Sequence, residues 1–398
     1  MGWAMVTAPL FRFSPSRLFA ASLVAVALIA VPVGGARPCG AFFPTESGTN
    51  AVIGAQRAIF VLGRDVISLH LQMSPTADAA TDFAWVVPIP AAGGAAGAAD
   101  GLPTLSLGEA DLFDALETLT TPTITIVRDA PSGGIGCGDA GVDAGNGRGG
   151  DRAVTRFTGG TLGPYSYDII AGTDADAIAE WLTTNGYRVP DDLGPALAPY
   201  VAGSRFVAIK QRVAAGQAAA IEPLVITFDR PLGATVSYPF ALSRLSSPAR
   251  APFVIWTIAD RRHRIVNYGS VELARIGDVM AAEGLSYNDA FRWLTDRADG
   301  RLVVTEFAKD LGASAASLPP SLAALITADR GYVTRLFGDT PLSAMEDLVI
   351  THAPNAPEVE PELVVTASVD ATDVGHTAGG ALVLFIVFGA FKRRRRHA

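Results

Sequence analysis

Apolar residues recur with the spacing of β-strands in the first third of the chain. Residues 56–62 form a nearly continuous apolar run, and residues 65–73 alternate apolar with polar side chains. A period of two is typical of a strand with one buried face. A third run, residues 82–90, ends in Pro88 and Pro90, which cannot donate sheet hydrogen bonds. The three runs predict an antiparallel meander whose third strand lies at an edge or an end.

Helical spacing and further strand-like runs alternate through the rest of the chain. The clearest helix is residues 174–186, which begins at Asp174, a favourable N-cap, and ends at Gly186, a favourable C-cap. Further helices are predicted at residues 109–119, 288–296 and 321–329, and further strands at residues 124–128, 205–213, 222–229, 252–260 and 301–307. This order predicts an α+β fold with largely antiparallel sheets and several packed helices, in one large domain or two closely joined domains.

The first 36 residues have the order of a secretory signal peptide. Arg12 and Arg17 precede an apolar run, residues 18–31, and small residues follow it. The run is shorter than the roughly 20 residues of a bilayer span. An uncleaved N-terminal anchor and a lipoprotein acylated at Cys39 are the alternatives, and Pro38 directly before that cysteine disfavours the second. We therefore predict that residues 1–36 are a signal peptide and that the protein is exported.

The C-terminus combines a short apolar segment with a basic cluster. Residues 377–391 are uncharged, and the five residues 392–396 are all basic. A hydrophobic run stopped by positive charge is typical of a transmembrane segment with a cytoplasmic tail. A processed sorting signal and a buried core helix are the alternatives. We predict that residues 377–398 anchor the protein in the cell membrane. Residues 354–376, which are acidic and contain proline, are predicted to form a stalk.

The exported part of the chain is strongly acidic. The whole chain has 31 Lys and Arg against 39 Asp and Glu, a net charge of −8. Seven basic residues and no acidic residue lie in the two terminal segments, so residues 37–376 carry a net charge of −15. Binding to nucleic acid is therefore not expected, because it relies on basic charge facing phosphates. Arginine is abundant throughout, so a single arginine is a weak signal of a site.

The exported body is predicted to extend over residues 37–353, with a Gly-rich insertion at residues 130–151. The insertion has nine glycines and is predicted to be flexible. It contains Cys137, one of two cysteines, and the other, Cys39, follows the signal peptide. In an oxidising compartment these cysteines can form a disulfide that closes a loop of about 98 residues. Two free thiols are the alternative.

No motif identifies a catalytic or metal site. The chain has no GxSxG, GxxxxGK[ST] or HExxH pattern, and the acidic residues of the insertion do not have calcium-loop spacing. We therefore predict no metal ion and no cofactor, and we assign no catalytic residue. A basic turn, Arg261-Arg262-His263-Arg264, follows a predicted strand and can either hold an anion or be simply solvated. His70 is expected to be solvated on the polar face of its strand.

Ten short motifs follow one another along the body. They are Cys39-Gly40-Ala41-Phe42-Phe43, Gln56-Arg57, residues 82–90 (DFAWVVPIP), Thr120-Thr121-Pro122, Tyr167-Asp168, Trp181-Leu182, Asn185-Gly186-Tyr187, residues 206–210 (FVAIK), Thr334-Arg335-Leu336 and Met345-Glu346-Asp347. Together they resemble the bacterial family called "domain of unknown function 2330", over about residues 38–352. The resemblance implies an exported bacterial protein, often with a C-terminal membrane segment. It carries no established activity, so no catalytic residue can be transferred. One cysteine stands in the insertion where close relatives have a cluster, and Trp85 and Trp181 are expected to be core residues.

These features predict a membrane-tethered protein of the cell envelope with its bulk on the extracytoplasmic side. A non-enzymatic binding or structural module is the favoured class, and its partner would be an envelope protein or polymer. An extracytoplasmic hydrolase acting on envelope polymer or peptide is the alternative. A concave pocket with converging His, Ser or carboxylate groups would favour the enzyme, and shallow surface grooves would favour binding.

Overall fold

The computed structural model describes residues 41–44, 56–72, 83–91, 97–128, 154–211, 222–230, 235–247, 249–368 and 383–385. All the described residues lie in one compact unit, within Gly35–Ala398.

The described elements are short and follow one another closely. The strands are β1 (Ala41–Pro44), β2 (Gln56–Leu62), β3 (Val66–Gln72), β4 (Phe83–Pro90), β5 (Thr104–Leu107), β6 (Thr123–Arg128), β7 (Val154–Leu162), β8 (Tyr165–Gly172), β9 (Ser204–Gln211), β10 (Leu224–Asp229), β11 (Val236–Tyr238), β12 (Arg250–Ala259), β13 (His263–Ile265), β14 (Gly269–Glu272), β15 (Leu302–Asp310), β16 (Tyr332–Pro341), β17 (Leu348–His352), β18 (Glu362–Ser368) and β19 (Val383–Phe385). The α-helices are α1 (Ala110–Thr120), α2 (Ala175–Thr184), α3 (Leu193–Leu197), α4 (Leu273–Glu283), α5 (Tyr287–Asp296) and α6 (Pro320–Ala323). Short 3₁₀ helices are formed by Phe240–Leu245, Gly312–Ser317 and Leu342–Ala344.

Sheets dominate the described part of the chain, and the predicted α+β class is confirmed at this level. The larger sheet has the strand order β14-β15-β16-β12-β2-β3-β10-β5. Its neighbouring strands are antiparallel, except that β2 runs parallel to β12 and β14 parallel to β15. The second sheet, β1-β4-β9-β8-β7, is antiparallel throughout. Two three-stranded sheets, β11-β17-β13 and β19-β18-β6, are also described.

The central core joins the facing sides of the two larger sheets. Phe60 and Leu69 of the larger sheet and Trp85 and Ile209 of the second belong to this core. Ile59, next to Phe60 along β2, belongs instead to an outer core on the opposite side of the larger sheet. Both faces of β2 are therefore covered, which is why this strand reads as a continuous apolar run rather than as an alternating one.

Helices cover the outer faces of both sheets. Helices α1 and α6 pack on the larger sheet, where Leu116 and Leu322 share a core with Trp256. Helices α2 and α3 pack on the second sheet, where Ile178 shares a core with Phe206. Helices α4 and α5 share a further core with β15 and β18.

Helix α2 begins and ends at the predicted signals. The Asp174 carboxylate accepts a hydrogen bond from the backbone N–H of Ala177 at 3.0 Å. Ile178 and Leu182 are buried on one face. Gly186, just beyond the helix, has a φ of 78°, a left-handed conformation that glycine adopts without strain.

The predicted three-stranded meander is wrong in its third strand. β2 and β3 form the expected antiparallel hairpin, but β4 lies in the second sheet between β1 and β9. A local apolar pattern cannot record this pairing, because β9 lies more than 100 residues further along the chain. Pro88 and Pro90 lie beyond the part of β4 that β1 covers, which fits the predicted edge position. The helix predicted at residues 321–329 is much shorter than expected, since α6 ends at Ala323.

The predicted stalk is wrong for residues 354–368, which belong to the folded body. β18 pairs in parallel with β6, and Leu363 and Val365 are buried in the core formed with α4 and α5. The apolar alternation within β18 outweighs the prolines and acidic residues that precede it. β19, within the predicted membrane segment, pairs with β18. No helix among the described residues is long and apolar enough to cross a membrane.

Several terminal and insertion predictions fall outside the described residues. They concern the signal peptide at residues 1–36, the Gly-rich insertion at residues 130–151, the disulfide between Cys39 and Cys137, and the membrane segment apart from β19.

Candidate functional site

A cleft of about 740 Å³ lies where several strand ends and turns meet. Its walls come from the β2–β3 turn, the residues after β10 and β12, the turn before β16, and the ends of β13 and β17. Four arginines, two histidines and two aspartates line it. Its volume is in the range of sites that bind small molecules.

The β2–β3 turn and the residue after β10 form the first wall. A Cβ added to Gly63 would lie 2.8 Å from the carbonyl oxygen of Val66, so this turn requires glycine. The backbone carbonyl of Gly63 accepts a hydrogen bond from Arg230 Nη1 at 2.7 Å. The backbone N–H of Arg230 donates to the backbone carbonyl of Asp65, also at 2.7 Å. Arg230 is therefore fixed at the cleft with further guanidinium N–H groups to offer. Arg64, exposed in the same turn, also lines the cleft.

The residues that follow β12 form the second wall. The exposed guanidinium of Arg261 pairs with Asp260 at 2.5 Å. His263 is 3% exposed, and its Nδ1 lies 2.9 Å from the carbonyl oxygen of Arg261. Because a carbonyl only accepts, Nδ1 carries the proton and Nε2 is the ring nitrogen left to accept a hydrogen bond. Burial lowers the pKa of His263 to about 4, so the imidazole is neutral at pH 7.

His352 and a tight turn complete the cleft. His352 lies directly opposite His263 in the antiparallel pair of β13 and β17. The turn is closed by two backbone hydrogen bonds between Thr327 and Arg330, and Asp329 is exposed within it. The Nε of Arg330 donates to a backbone carbonyl at 2.9 Å, which orients its guanidinium.

The cleft is electropositive although residues 37–376 as a whole are acidic. The four arginines and two aspartates of the cleft together have a net charge of +2, against −15 for residues 37–376. A cleft lined by one sign of charge concentrates its potential and attracts the opposite charge. Guanidinium groups also bind phosphate and carboxylate oxygens through charge-assisted hydrogen bonds. The arrangement can therefore hold an anionic group.

The structure divides the predicted basic turn between the cleft and the core. Arg261 and His263 line the cleft. Arg262 is buried and donates to the Glu272 carboxylate at 2.6 Å and to a carbonyl of the segment before β18. This arginine therefore stabilises the fold. Arg264 is exposed and is not among the lining residues.

Three predictions about single residues have different outcomes. Trp85 is 4% exposed in the central core, as expected, and Trp181 is half-buried against the core under α2. His70, which was predicted to be solvated, is half-buried, and burial lowers its pKa to about 4. Its cross-strand neighbour Ile59 belongs to the outer core, so the polar face of β3 is partly covered.

Two of the motif residues meet in a buried ionic network beside helix α1. Arg335 Nε donates to Glu306 at 2.6 Å, and its Nη2 donates to Glu117 at 2.9 Å. Arg57 donates to the other oxygen of Glu117 at 3.0 Å. The guanidinium groups of Arg335 and Arg57 lie 5.1 and 5.6 Å from the ring centroid of Trp256. The network joins α1 to four strands, so we interpret it as structural.

Three further motifs meet on the second sheet. The Asp168 carboxylate accepts a hydrogen bond from the Tyr187 hydroxyl at 2.6 Å and pairs with Arg156 at 2.5 Å. Lys210 donates to the Asn185 carbonyl at 2.8 Å, and its Nζ lies 4.4 Å from the centroid of the Tyr187 ring. Burial raises the pKa of Tyr187, so its hydroxyl remains a donor. None of these side chains lines the basic cleft.

Sequence reasoning identified only one wall of the cleft. Arg64, Arg230, Arg330 and His352 stand alone in the sequence, in a chain rich in arginine. One signal could have found some of them. Arg64, Arg230 and Arg261 each come one or two residues after a predicted strand, at positions where strand ends can converge. Among the described residues, no group of three or more His, Cys, Asp or Glu side chains could hold a metal ion.

The described fold is a sheet-dominated α+β body with a basic, ligand-sized cleft. The model of a family described as "Uncharacterized protein conserved in bacteria (DUF2330)" matches residues 33–351. This is most of the chain, so the protein belongs to that family, and the resemblance read from the motifs is confirmed. Comparisons with curated proteins and with solved structures gave no match.

Proposed function

We propose that this protein is a membrane-tethered, non-enzymatic module of the cell envelope that binds an anionic envelope component in its basic cleft. The observation that carries the proposal is the convergence of four arginines, Arg64, Arg230, Arg261 and Arg330, on one cleft of an acidic body. The component would be a polymer or a protein that presents phosphate or carboxylate groups.

The two ends of the chain support the envelope location. The signal-like segment at residues 1–36 would direct export, and the apolar segment with its basic tail at residues 377–398 would hold the body at the membrane. Protease treatment of intact spheroplasts should then degrade the body while leaving cytoplasmic proteins whole. A body that is degraded only after lysis would contradict this location.

The charge distribution supports selective rather than general binding. A body with a net charge of −15 is repelled by anionic surfaces, so it would remain soluble beside an anionic envelope. Only a group that enters the cleft would meet the arginines at short range.

Co-sedimentation with isolated envelope fragments tests the proposal. The full-length wild type is compared with Arg64→Gln/Arg261→Gln, which removes two exposed cleft charges. Arg264→Gln/Arg275→Gln is the matched control, because it removes two exposed arginines that do not line the cleft. We expect the wild type and the control to sediment with the fragments and to be displaced by pyrophosphate, and the cleft variant to stay in solution. Equal sedimentation of all three proteins would overturn the proposal.

A hydrolase acting on envelope polymer or peptide is the second candidate, and the histidine pair favours it. His263, His352 and Asp329 line the same cleft, and such groups carry out general acid–base catalysis. However, burial lowers the pKa of His263 to about 4, and such a base is weak at neutral pH. His263 is thus better suited to accept a hydrogen bond than to remove a proton.

Release of soluble fragments from labelled envelope material separates the two candidates. A hydrolase would release fragments over time, and His352→Ala would abolish the release. A binding module would release none above the level of a protein-free sample, while still sedimenting with the material.

A further inference from the structure

We infer that the cleft binds a hydroxyl-bearing phosphate ester, that is, a phosphorylated sugar or polyol, rather than a simple inorganic anion. This inference rests on the proposed function, because it names the ligand class of the same cleft. Three observations lead to it: the volume of the cleft, its net charge, and the hydrogen-bond acceptors that stand among its cations.

The volume and the charge together favour an organic phosphate. A cleft of about 740 Å³ is in the range occupied by whole small molecules, whereas one inorganic anion would fill a small part of it. The net charge of +2 would balance the negative charge of a phosphate monoester near neutral pH, or that of two linked phosphodiesters. The planar N–H fork of arginine also matches phosphate oxygens in geometry.

Asp329 is the first acceptor, and an anion without a hydroxyl group, such as sulfate, would not use it. It lies exposed in the tight turn between Thr327 and Arg330, and it lines the cleft beside the arginines. An ionised carboxylate only accepts hydrogen bonds, so it repels a bare anion. A hydroxyl on the ligand would instead donate to it, while the phosphate of the same ligand faces the guanidinium groups.

His263 is the second acceptor, and its orientation is fixed by the backbone. Nδ1–H donates to the Arg261 carbonyl at 2.9 Å, which leaves the lone pair of Nε2 for a ligand. Asp260, Arg230 and His352 are the charged or titratable neighbours that act on this imidazole, and Arg261 acts on it through its backbone carbonyl. A neutral ring among arginines adds no attraction for an anion, but it can accept a hydrogen bond from a ligand hydroxyl.

Titration calorimetry on the full-length chain compares four probes: glucose 6-phosphate, inorganic phosphate, glucose and glucuronate. We expect glucose 6-phosphate to bind at least tenfold more tightly than each of the others, because it alone presents both a phosphate and hydroxyl groups. Tighter binding of glucuronate would overturn the inference, since it would assign the site to carboxylated sugars. Equal affinity for glucose 6-phosphate and inorganic phosphate would also overturn it.

The variant Asp329→Asn gives a second measurement, in which the affinities for sulfate and for glucose 6-phosphate should change in opposite directions. Sulfate, which carries no hydroxyl near neutral pH, should bind this variant as tightly as the wild type or more tightly, because a repelling charge is gone. Glucose 6-phosphate should bind about tenfold more weakly, because the amide is a poorer acceptor for its hydroxyl. Asp114→Asn is the matched control, since Asp114 is exposed on helix α1 away from the cleft. Parallel changes for both anions in Asp329→Asn would contradict the inference.

The same assay separates failure of this inference from failure of the proposed function. If inorganic phosphate and glucose 6-phosphate bind equally and both are lost in Arg64→Gln/Arg261→Gln, only the ligand class is wrong. If none of the anionic probes, glucuronate included, binds, or if the double variant binds them like the wild type, the cleft is not an anion site and both proposals fail. A glycerophosphate oligomer identifies the source of the ester. Tighter binding of the oligomer than of glucose 6-phosphate indicates an envelope polymer, and weaker binding indicates a free sugar phosphate.

Discussion

Replacing Arg335 with methionine tests how strongly the buried ionic network stabilises the fold. Arg335 is 5% exposed and Glu306 is 2% exposed, and a hydrogen bond of 2.6 Å joins them. Methionine keeps much of the volume of the side chain but removes its charge, so the Glu306 carboxylate loses its cation while remaining buried. Breaking a buried ion pair from one side costs about 3–5 kcal/mol. We expect the free energy of unfolding to fall by that amount.

Equilibrium urea unfolding of the full-length chain, followed by far-UV circular dichroism, measures this loss. Arg301→Met is the matched control. Arg301 forms an ion pair of similar length, 2.7 Å, with Glu346, but the two side chains are 39% and 49% exposed. An exposed pair contributes at most about 1 kcal/mol, so the control should lose little. Equal losses in the two variants would refute the reasoning, because burial would then make no difference.

A double variant separates the ion pair from the packing around it. Arg335→Met/Glu306→Gln removes both charges, so no buried group is left without its counter-ion. Its loss of stability should be smaller than the sum of the losses of the two single variants. Strict additivity would mean that the two side chains do not act as a pair.

Three further predictions concern other parts of the chain. Burial opposes ionisation of Glu117, but hydrogen bonds and charges from Arg335 lower its pKa below the ordinary 4.5. The loss of unfolding free energy in Glu117→Gln should therefore have its full size at pH 7 and become smaller as the pH falls below about 4.5. A loss that becomes larger as the pH falls would contradict this prediction. Asp174→Ala removes the N-cap bond of α2 and should cost about 1 kcal/mol in urea unfolding; unchanged stability would show that the cap contributes nothing. Alkylation of the unreduced, denatured protein should label neither Cys39 nor Cys137, and labelling of both would exclude the predicted disulfide.

Local hydrophobic patterns predicted the elements whose environment is simple. β2, β3 and α2 could be predicted because their spacing reports directly which faces are covered. Their assembly could not, since the pairing of β4 with β9 and of β6 with β18 joins segments far apart in the sequence. Such pairings depend on which strand edges lie next to each other in the folded chain. The local spacing of apolar residues does not predict this.

The stalk predicted from composition was wrong at β18, where a few apolar residues determine the structure. Prolines and acidic residues around residue 360 are typical of an extended stalk. However, burial of Leu363 and Val365 in the core with α4 is sufficient to hold β18 in the body. Each such side chain contributes about 1.5–3 kcal/mol when it is fully buried. The amino-acid composition of a segment does not show which of its apolar side chains pack against another element.

Most of the residues that line the cleft could not be predicted from the sequence, for a different reason. Its four arginines are separated by about 30 to 170 residues along the chain. In a chain rich in arginine, no one of them stands out. The fold makes them a site by bringing the turn after β2 and the residues after β10 and β12 to one place. Only the basic turn at residues 261–264 was singled out from the sequence, and two of its residues, Arg261 and His263, line the cleft.

Titration of pyrophosphate into the full-length chain tests the central claim most directly. Charge-assisted hydrogen bonds contribute about 1.5–3 kcal/mol each, so loss of two arginines should weaken binding at least tenfold. The account predicts equal affinity for the wild type and for Arg264→Gln/Arg275→Gln, with affinity at least tenfold lower for Arg64→Gln/Arg261→Gln. Binding that is the same in all three proteins, or absent from the wild type, would contradict it.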